Sequence, residues 1–260
     1  MTQFCTVERA GRVLTVTINR PEVRNALHRA ASDELDEVWA SFESDPELWV
    51  AILTGAGDRA FSAGYDMKDP GEPTGSAYLA RRHPRGFGAL THRFDMTKPL
   101  IAAVNGVAVG GGFELALACD VIVASEGAEF GFPEPRVGRM AMDGGMHRLA
   151  RHIPLKLAMG MLLTGRRIPA AEAARWGLVN EVVPPPALLE TANAWAAAIV
   201  ECAPLSVQAT KEMTLAGLHL PLRQAMALLT PVGERALDSQ DGVEGVQAFR
   251  ERRAPRWTGR

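Results

Sequence analysis

The sequence contains little cysteine, little tyrosine and no excess of either charge. It has 3 cysteines, 2 tyrosines and a formal net charge of −2 over 260 residues. Three cysteines without a CxxC or His-spaced pair predict neither a disulfide framework nor a metal site, and Cys119 and Cys202 are expected to be small core residues. A balanced charge does not suit a protein that holds nucleic acid through phosphate contacts. We therefore expect no nucleic-acid partner and a reducing, cytoplasmic compartment.

Long apolar runs are also missing. The longest stretch without a charged residue is 99–113, which contains four glycines. A membrane-spanning helix needs about 20 apolar residues, and residues 1–12 lack the apolar stretch of a secretory signal. We therefore expect no membrane association. The hydrophobic content of 47 % is nevertheless sufficient for a large core in a chain of this length.

The periodicity of apolar residues predicts an α/β protein. The runs 4–9 and 13–18 are rich in β-forming residues and predict a hairpin, because a short Ala-Gly-Arg segment separates them. Apolar residues at helical spacing predict a helix over about 28–45. Further apolar runs predict buried strands at 50–54, 100–104 and 121–123.

Two other segments differ in composition. Residues 68–88 combine prolines and glycines with basic residues, which predicts a loop close to a site that the preceding segment builds. After a triple proline the chain has helical spacing and no further strand signal. This predicts a helical C-terminal region, interrupted at Pro204, Pro221 and Pro231.

Two short motifs near residue 60 suggest other chemistries and fit them poorly. GxGxxA at 55–60 follows a strand, but a dinucleotide site also requires a helix at that point and an acid about 20 residues later. AFSAG at 60–64 resembles a nucleophile elbow, yet none of the downstream histidines, His92 among them, lies in a motif. Neither interpretation is favoured.

Four segments together carry the chemistry: 59–68, 99–120, 130–138 and 143–149. The second is a strand that leads into three glycines and then a helix. Such a turn lets a ligand approach the main chain and directs the free N–H groups of the helix toward it, so it can stabilise a developing negative oxygen. Considered alone, the acid in the first helical turn would only complement the helix dipole. The acid between two prolines in the third segment would be a solvated turn residue.

Taken together, these segments resemble the crotonase, or enoyl-CoA hydratase/isomerase, superfamily. The resemblance rests on the patterns SAG-x-D and NG-x-A-x-GGG-x-E-L-A-x-x-CD, and it extends from residues 20–27 to 244–249. It implies an α/β fold: a spiral of ββα units with a helical C-terminal region. Residues 1–199 would carry the CoA-ester site, and residues 200–260 would mediate assembly as a trimer or a dimer of trimers. No separate cofactor is implied, because coenzyme A is part of the substrate.

The resemblance also implies a reaction, the reversible syn addition of water to a trans-2-enoyl-CoA to give a 3-hydroxyacyl-CoA. Glu114 would activate the water that attacks the β-carbon, and Glu134 would exchange a proton with the α-carbon. The backbone N–H groups of Tyr65 and Gly111 would form the oxyanion hole. An enoyl-CoA or dienoyl-CoA isomerase on the same scaffold is the alternative. A non-catalytic CoA-ester-binding subunit is the alternative from another class.

The chain departs from the hydratase pattern at residues 141–145. Hydratases usually have Pro-Gly-x-Gly-Gly there, whereas this chain has Ala-Met-Asp-Gly-Gly. Met142 replaces a small residue and is expected to reshape the acyl pocket. Asp143 lies one position after the catalytic Asp of dienoyl-CoA isomerases, which keeps the isomerase alternative open. Its simpler interpretation is a helix N-cap.

Contacts with coenzyme A follow from the same resemblance. The adenine and pantetheine would lie along Arg24 and the backbone of 60–63, and Lys68 with the basic cluster 81–85 could attract phosphates. Phe249 and Arg252, near the C-terminus, would contact the coenzyme A of a neighbouring subunit. The substrate- and CoA-binding residues implied are Arg24, Ala63, Asp66, Lys68, Met142, Phe249 and Arg252.

Overall fold

The strands form two sheets in the computed structural model, which describes residues 2–68, 77–78 and 82–260. The strands of the larger sheet are, in spatial order, β1 (Cys5–Ala10), β2 (Val13–Ile18), β3 (Val50–Gly55), β5 (Leu100–Val104), β7 (Val121–Ser125) and β10 (Glu181–Val183). Those of the smaller sheet are β4 (Ala60–Ser62), β6 (Val107–Val109), β8 (Glu129–Gly131) and β9 (Arg167–Pro169).

The predicted hairpin and buried strands are confirmed. Strands β1 and β2 pair antiparallel, with Cys5 opposite Ile18 and Ala10 opposite Val13. The remaining neighbours in the larger sheet pair in parallel. Strands β3 and β5 are buried along their whole length, as expected for continuous apolar runs in a parallel sheet that is covered on both faces.

The chain alternates between the two sheets as it advances. It passes from β3 to β4, from β5 to β6 and from β7 to β8, with a helix between the last two passes. This is the predicted spiral of ββα units. At the first pass the chain folds back sharply, since a Cβ at Gly55 would lie 2.5 Å from the carbonyl oxygen of Phe61. The GxGxxA motif is therefore followed by a short strand and not by the helix that a dinucleotide site needs.

Helices cover both sheets and form the C-terminal region. In the described part of the chain they are α1 (Arg29–Ser44), α2 (Gly111–Ala118), α3 (Gly145–His152), α4 (Leu155–Thr164), α5 (Ala170–Arg175), α6 (Leu188–Val200), α7 (Pro204–Gly217), α8 (Leu222–Met226), α9 (Pro231–Leu237) and α10 (Gln240–Glu251). Short 3-10 turns occupy Pro21–Val23, Phe87–Ala89, Glu134–Val137 and Pro185–Ala187. The helix predicted over about 28–45 is confirmed as α1.

The core has two parts, one on each face of the larger sheet. On one face, α1 buries Trp39 and Phe42 completely, and the indole of Trp39 donates a hydrogen bond to the carbonyl of Gly88 at 3.1 Å. On the other face, α6 packs through Leu188 and Ala192 against strand residues. Helix α6 therefore covers the second face of the larger sheet. The turns that connect the two sheets are where a site can form.

The helical C-terminal region is confirmed, and the three prolines lie where its helices begin. Pro204 and Pro231 open α7 and α9, and Pro221 is the N-cap of α8. The expectation that Cys202 is a core residue is wrong: it lies exposed in the turn after α6, whereas Cys119 is buried. A turn at the end of a helix places the thiol at the surface despite its apolar neighbours in sequence.

Large apolar side chains remain exposed on this C-terminal region. They include Leu218, Leu222, Met226, Leu237, Val243 and Phe249. A surface of this kind suits the predicted assembly role of residues 200–260, which stays a prediction.

Part of one prediction lies outside the described residues. Of the loop expected over 68–88, the structure describes residues 68, 77–78 and 82–88. Throughout the described ranges, every helix is too short or too polar to cross a bilayer.

Candidate active site

Two glycine turns, one after β4 and one after β6, lie in backbone contact. Gly64 has φ +84°, and a Cβ on it would lie 2.9 Å from both the amide nitrogen of Gly111 and the carbonyl oxygen of Val109. Similarly, a Cβ on Gly112 would lie 2.0 Å from the carbonyl oxygen of Ser62. Side chains at these positions would force the two turns apart. The glycines of the SAG and GGG patterns are therefore needed for this approach.

The two N–H groups predicted to form an oxyanion hole belong to these turns. Gly111 is the first residue of α2, where N–H groups have no acceptor within the helix. Tyr65 directly follows Gly64 and is held in a parallel bridge with Leu27. The N–H of Leu27 donates to the carbonyl of Gly64 at 2.9 Å. The structure thus brings the two predicted backbone segments together.

A buried asparagine that the sequence analysis did not select holds the first turn in place. Asn25 has φ +56°, a region that asparagine tolerates better than most residues. The side-chain amide of Asn25 donates to the carbonyl of Ala60 at 2.7 Å. Its backbone carbonyl accepts from the hydroxyl of Ser62 at 2.8 Å. The neighbouring carbonyl of Arg24 accepts from the N–H of Ala63 at 3.0 Å. The predicted CoA-binding residues Arg24 and Ala63 therefore lie side by side.

Glu114 lies at the start of α2 and is 2 % exposed. Its Oε1 accepts a hydrogen bond from the N–H of Gly145 at 2.8 Å. Burial raises the pKa of Glu114 to about 8, and the charge of Asp143 adds to this rise. The backbone N–H groups of Gly145 and Asp143 oppose it by stabilising the carboxylate. At neutral pH, Glu114 is therefore protonated in most of the protein molecules.

Glu134 opens the 3-10 turn Glu134–Val137 and points at the glycines. A Cβ on Gly110 would lie 3.1 Å from its Oε1. Its Oε2 is buried and accepts no hydrogen bond from the described residues. Burial raises the pKa of Glu134 to about 7. The interpretation of Glu134 as a solvated turn residue, which its local sequence suggests, is thus wrong, because packing places this carboxyl in the site.

Asp143 does not cap a helix. Helix α3 begins at Gly145, its N-cap is Gly144 with φ +107°, and no side chain caps it. The carboxylate of Asp143 is instead buried, and its Oδ2 accepts from the hydroxyl of Tyr65 at 3.4 Å and from the hydroxyl of Tyr78. The N-cap interpretation is wrong because two phenol donors from distant segments compete successfully for the side chain.

A histidine and an arginine, His92 and Arg148, also lie beside Asp143, and neither was selected from the sequence. His92 Nε2 lies 4.0 Å from Oδ1 of Asp143. Burial lowers the pKa of His92, and the charges of Arg82 and Arg148 lower it further, so the ring favours its neutral form. The guanidinium of Arg148 donates to the carbonyl of Thr91 at 2.7 Å. No sequence motif marks either residue.

The structure places Asp66 and Lys68 beside the first glycine turn. Asp66 is buried and forms an ion pair with Arg20, with 3.0 Å between Nη2 and Oδ2. Its Oδ1 accepts from the backbone N–H of Lys68 at 3.2 Å. Asp66 thus fastens this turn to the residues before α1, and its predicted contact with substrate stays a prediction.

The remaining predicted binding residues lie in two different places. Met142 is partly buried and directly precedes Asp143. Phe249 is exposed near the end of α10, and Arg252 is the left-handed residue that ends this helix. Their contacts with coenzyme A concern an assembled protein and stay predictions.

Comparison with known proteins decides the family. The sequence model of the family described as enoyl-CoA hydratase/isomerase matches residues 8–260. The chain belongs to the enoyl-CoA hydratase/isomerase family. The carnitinyl-CoA dehydratase of Citrobacter koseri is 44 % identical over 256 residues, 97 % of each chain. The (E)-benzylidenesuccinyl-CoA hydratase of Thauera aromatica is 44 % identical over 254 residues, 98 % of each chain.

Solved structures confirm the fold of this enoyl-CoA hydratase/isomerase family member. The enoyl-CoA hydratase from Mycobacterium tuberculosis H37Rv is 41 % identical, with a TM-score of 0.89 and 99 % of each chain covered. The enoyl-CoA hydratase from Bacillus anthracis is 33 % identical, with a TM-score of 0.91, 99 % of this chain and 100 % of that chain covered. The predicted crotonase-like α/β fold is therefore confirmed.

Proposed function

We propose that this protein interconverts a trans-2-enoyl-CoA and the corresponding 3-hydroxyacyl-CoA by addition or removal of water. The observation that carries the proposal is a pair of carboxyls at one glycine turn, buried Glu114 and half-buried Glu134, with pKa values raised to about 8 and about 7. The two curated relatives support the reaction class, because one is named a dehydratase and the other a hydratase of CoA esters.

The glycine turns would bind the thioester carbonyl. Its oxygen would accept hydrogen bonds from the N–H groups of Tyr65 and Gly111, and α2 would direct the positive end of its dipole at the same oxygen. Negative charge grows on this oxygen as the enolate forms. Fixed donors stabilise that charge more than they stabilise the ground state, and the loss of one donor typically costs about 3–4 kcal/mol.

The two carboxyls would divide the proton transfers. In hydration, Glu114 accepts a proton from the water whose oxygen bonds to the β-carbon. The electron pair of the double bond moves onto the thioester oxygen, and Glu134 then gives its proton to the α-carbon. Dehydration reverses these steps: Glu134 removes the α-proton and Glu114 protonates the departing hydroxyl. Each direction moves one proton from one carboxyl to the other, so the pair retains one proton. Because the pKa of Glu114 is the higher of the two, the form with Glu114 protonated, which starts dehydration, is the more populated, and hydration starts from the less populated form with Glu134 protonated.

The raised pKa values predict a bell-shaped pH profile. Below about pH 7 both carboxyls are protonated and no base remains, whereas above about pH 8 both are ionised and no acid remains. We therefore expect kcat/KM for a 2-enoyl-CoA to be largest between about pH 7 and 8, with apparent pKa values that belong to the coupled pair. Steady-state rates from about pH 5 to pH 10 measure this profile. An acidic limb near pH 4.5, the ordinary range of a glutamate, would contradict it.

Substrate binding and assembly extend the proposal. The backbone around Arg24 and Ala63 would hold the adenine and pantetheine, with Lys68 near the phosphates. Residues 200–260 would assemble the chain into a trimer or a dimer of trimers, which would bring Phe249 and Arg252 to a neighbouring subunit's coenzyme A. The acyl group is open, because two relatives with equal identity carry names with different acyl groups.

An isomerase is the second candidate, and one observation favours it. Asp143 places a third carboxylate, itself buried, beside Glu114, where it could receive or return a proton further along the acyl chain. Product mass separates the candidates. Incubation with short, branched, long and aryl 2-enoyl-CoAs is expected to add one water to at least one of them. Unchanged mass with a shifted double bond would indicate the isomerase, and tight binding without any conversion would indicate the non-catalytic subunit.

A further inference from the structure

Three polar side chains form a cluster that the two proton transfers do not use. The cluster consists of Tyr65, Tyr78 and Asp143, which are far apart in the sequence. The two phenol oxygens lie 2.6 Å apart, and both hydroxyls reach Oδ2 of Asp143. Tyr65 also packs on Phe87, with 4.6 Å between ring centroids. Two donors therefore hold one oxygen of this carboxylate in a defined position.

Among the described residues, no hydrogen-bond donor reaches the other oxygen of Asp143. Oδ1 is buried and accepts no hydrogen bond from the described residues, and Asp143 is only 1 % exposed. His92 Nε2, at 4.0 Å, is too far away for a hydrogen bond. A buried carboxylate oxygen without a donor is costly. A bound group that donates a hydrogen bond would remove this cost.

The position of the cluster indicates which part of a bound ester it would meet. The backbone N–H of Asp143 bonds to Glu114, the carboxyl that faces the β-carbon in the proposed reaction. Tyr65 contributes its backbone to the oxyanion hole and its hydroxyl to Asp143. In the proposed binding mode, the cluster would therefore lie alongside the acyl chain just beyond the double bond, on the side of Glu114.

Surrounding charges favour a neutral donor over a cation. The positive charges of Arg82 and Arg148 act on His92, which lies next to Asp143. Arg148 Nη1 also lies 3.5 Å from the carbonyl oxygen of Asp143. The carboxylate of Asp143 would attract a substrate ammonium and these two cations would oppose that attraction, whereas a hydroxyl needs only the hydrogen bond to Oδ1.

We propose that Tyr65, Tyr78 and Asp143 form a subsite for an acyl group that carries a hydroxyl on the carbon next to the double bond. Oδ1 of Asp143 accepts the hydrogen bond of that hydroxyl, while the two tyrosines hold Oδ2. The inference rests on the proposed function only in that the site binds a 2-enoyl-CoA.

Binding of a matched pair of esters tests the subsite. The pair is trans-4-hydroxybut-2-enoyl-CoA and trans-pent-2-enoyl-CoA, which differ by a hydroxyl in place of a methyl group. Calorimetry on the full chain with Glu134→Gln measures both dissociation constants while turnover is slowed by at least about 10²-fold. We expect the hydroxy ester to bind at least about tenfold more tightly, as for a site whose buried acceptor needs that hydroxyl.

Variants at Asp143 connect the preference to the subsite. Added to the same parent, Asp143→Leu is expected to bring the two dissociation constants to within about twofold of each other, because the acceptor is gone. Asp143→Asn keeps the size of the side chain and is expected to lower the preference at least about threefold, which covers the case in which the leucine variant does not fold. The matched control is Asp238→Asn at an exposed position, for which the preference stays that of the parent.

The outcomes separate this inference from the proposed function. Equal binding of the two esters by the parent, or a preference that survives both Asp143 variants, overturns the subsite. Tighter binding of 4-trimethylammoniobut-2-enoyl-CoA than of the hydroxy ester overturns the neutral donor. If the wild-type protein hydrates no ester of the 2-enoyl-CoA panel but the parent's preference depends on Asp143, the proposed reaction fails and the subsite stands. If none of these esters binds to the parent, the subsite is overturned, and the product-mass experiment alone decides the proposed reaction.

Discussion

Glu134→Gln is expected to lower kcat for hydration by about 10²- to 10⁴-fold, the range typical for the loss of a general acid or base. Glutamine has nearly the same size but cannot exchange a proton with the α-carbon. Binding of the CoA ester should survive, because the proposed oxyanion donors, the N–H groups of Tyr65 and Gly111, belong to the backbone. Steady-state kinetics together with calorimetry measure kcat and the dissociation constant separately.

The matched control for this variant is Glu126→Gln. Glu126 is exposed in the turn after β7, so its removal changes the same charge without touching the site. We expect its kcat to equal that of the wild type. If Glu134→Gln retained full activity, the assignment of Glu134 to the α-carbon would be wrong.

Gly64→Ala is expected to reduce kcat/KM by about 10²- to 10³-fold, comparable with the loss of an oxyanion donor. The new Cβ would lie 2.9 Å from the amide nitrogen of Gly111 and from the carbonyl oxygen of Val109. The two turns would have to separate, which moves the N–H groups of Tyr65 and Gly111 away from a common oxygen. Steady-state kinetics with a 2-enoyl-CoA that the wild type hydrates measure the loss of kcat/KM.

Gly11→Ala separates this effect from backbone strain. Gly11 also has a left-handed conformation, with φ +57°, but a Cβ there meets nothing within 4 Å. Both variants should lose about 1 kcal/mol of stability from the strained backbone. Only Gly64→Ala should lose activity, and an equal loss in both variants would argue against the oxyanion hole. Thermal unfolding midpoints confirm that both proteins are folded.

Much of the fold could be predicted from the sequence because its signals are local. The hairpin of β1 and β2, the amphipathic helix α1 and the buried strand β3 each follow from periodicity within a short window. The glycine turn before Glu114 is also local, since the glycines and the acid lie within one turn of α2. These elements were found at the predicted positions.

The site was harder to predict where it depends on long-range packing. Glu134 looks solvated in its own turn, and only the folded structure shows that its carboxyl lies against Gly110 with Oε2 buried. Asp143 has the local signature of an N-cap, but its side chain accepts hydrogen bonds from the hydroxyls of Tyr65 and Tyr78, which lie far earlier in the chain. Tyr78 and His92 carry no motif, because single residues in irregular segments leave no periodic signal.

The central claim is that the two carboxyls add water across the double bond while protonating the α-carbon. Incubation of the wild-type protein with the 2-enoyl-CoA panel in D₂O, followed by quenching in ordinary water and mass spectrometry, tests both parts at once. We predict that the wild type forms a product heavier by one HDO, with the deuterium on the α-carbon, and that Glu134→Gln forms it at least about 10²-fold more slowly. A product that keeps the mass of the substrate, or hydration that Glu134→Gln leaves intact, would contradict the claim.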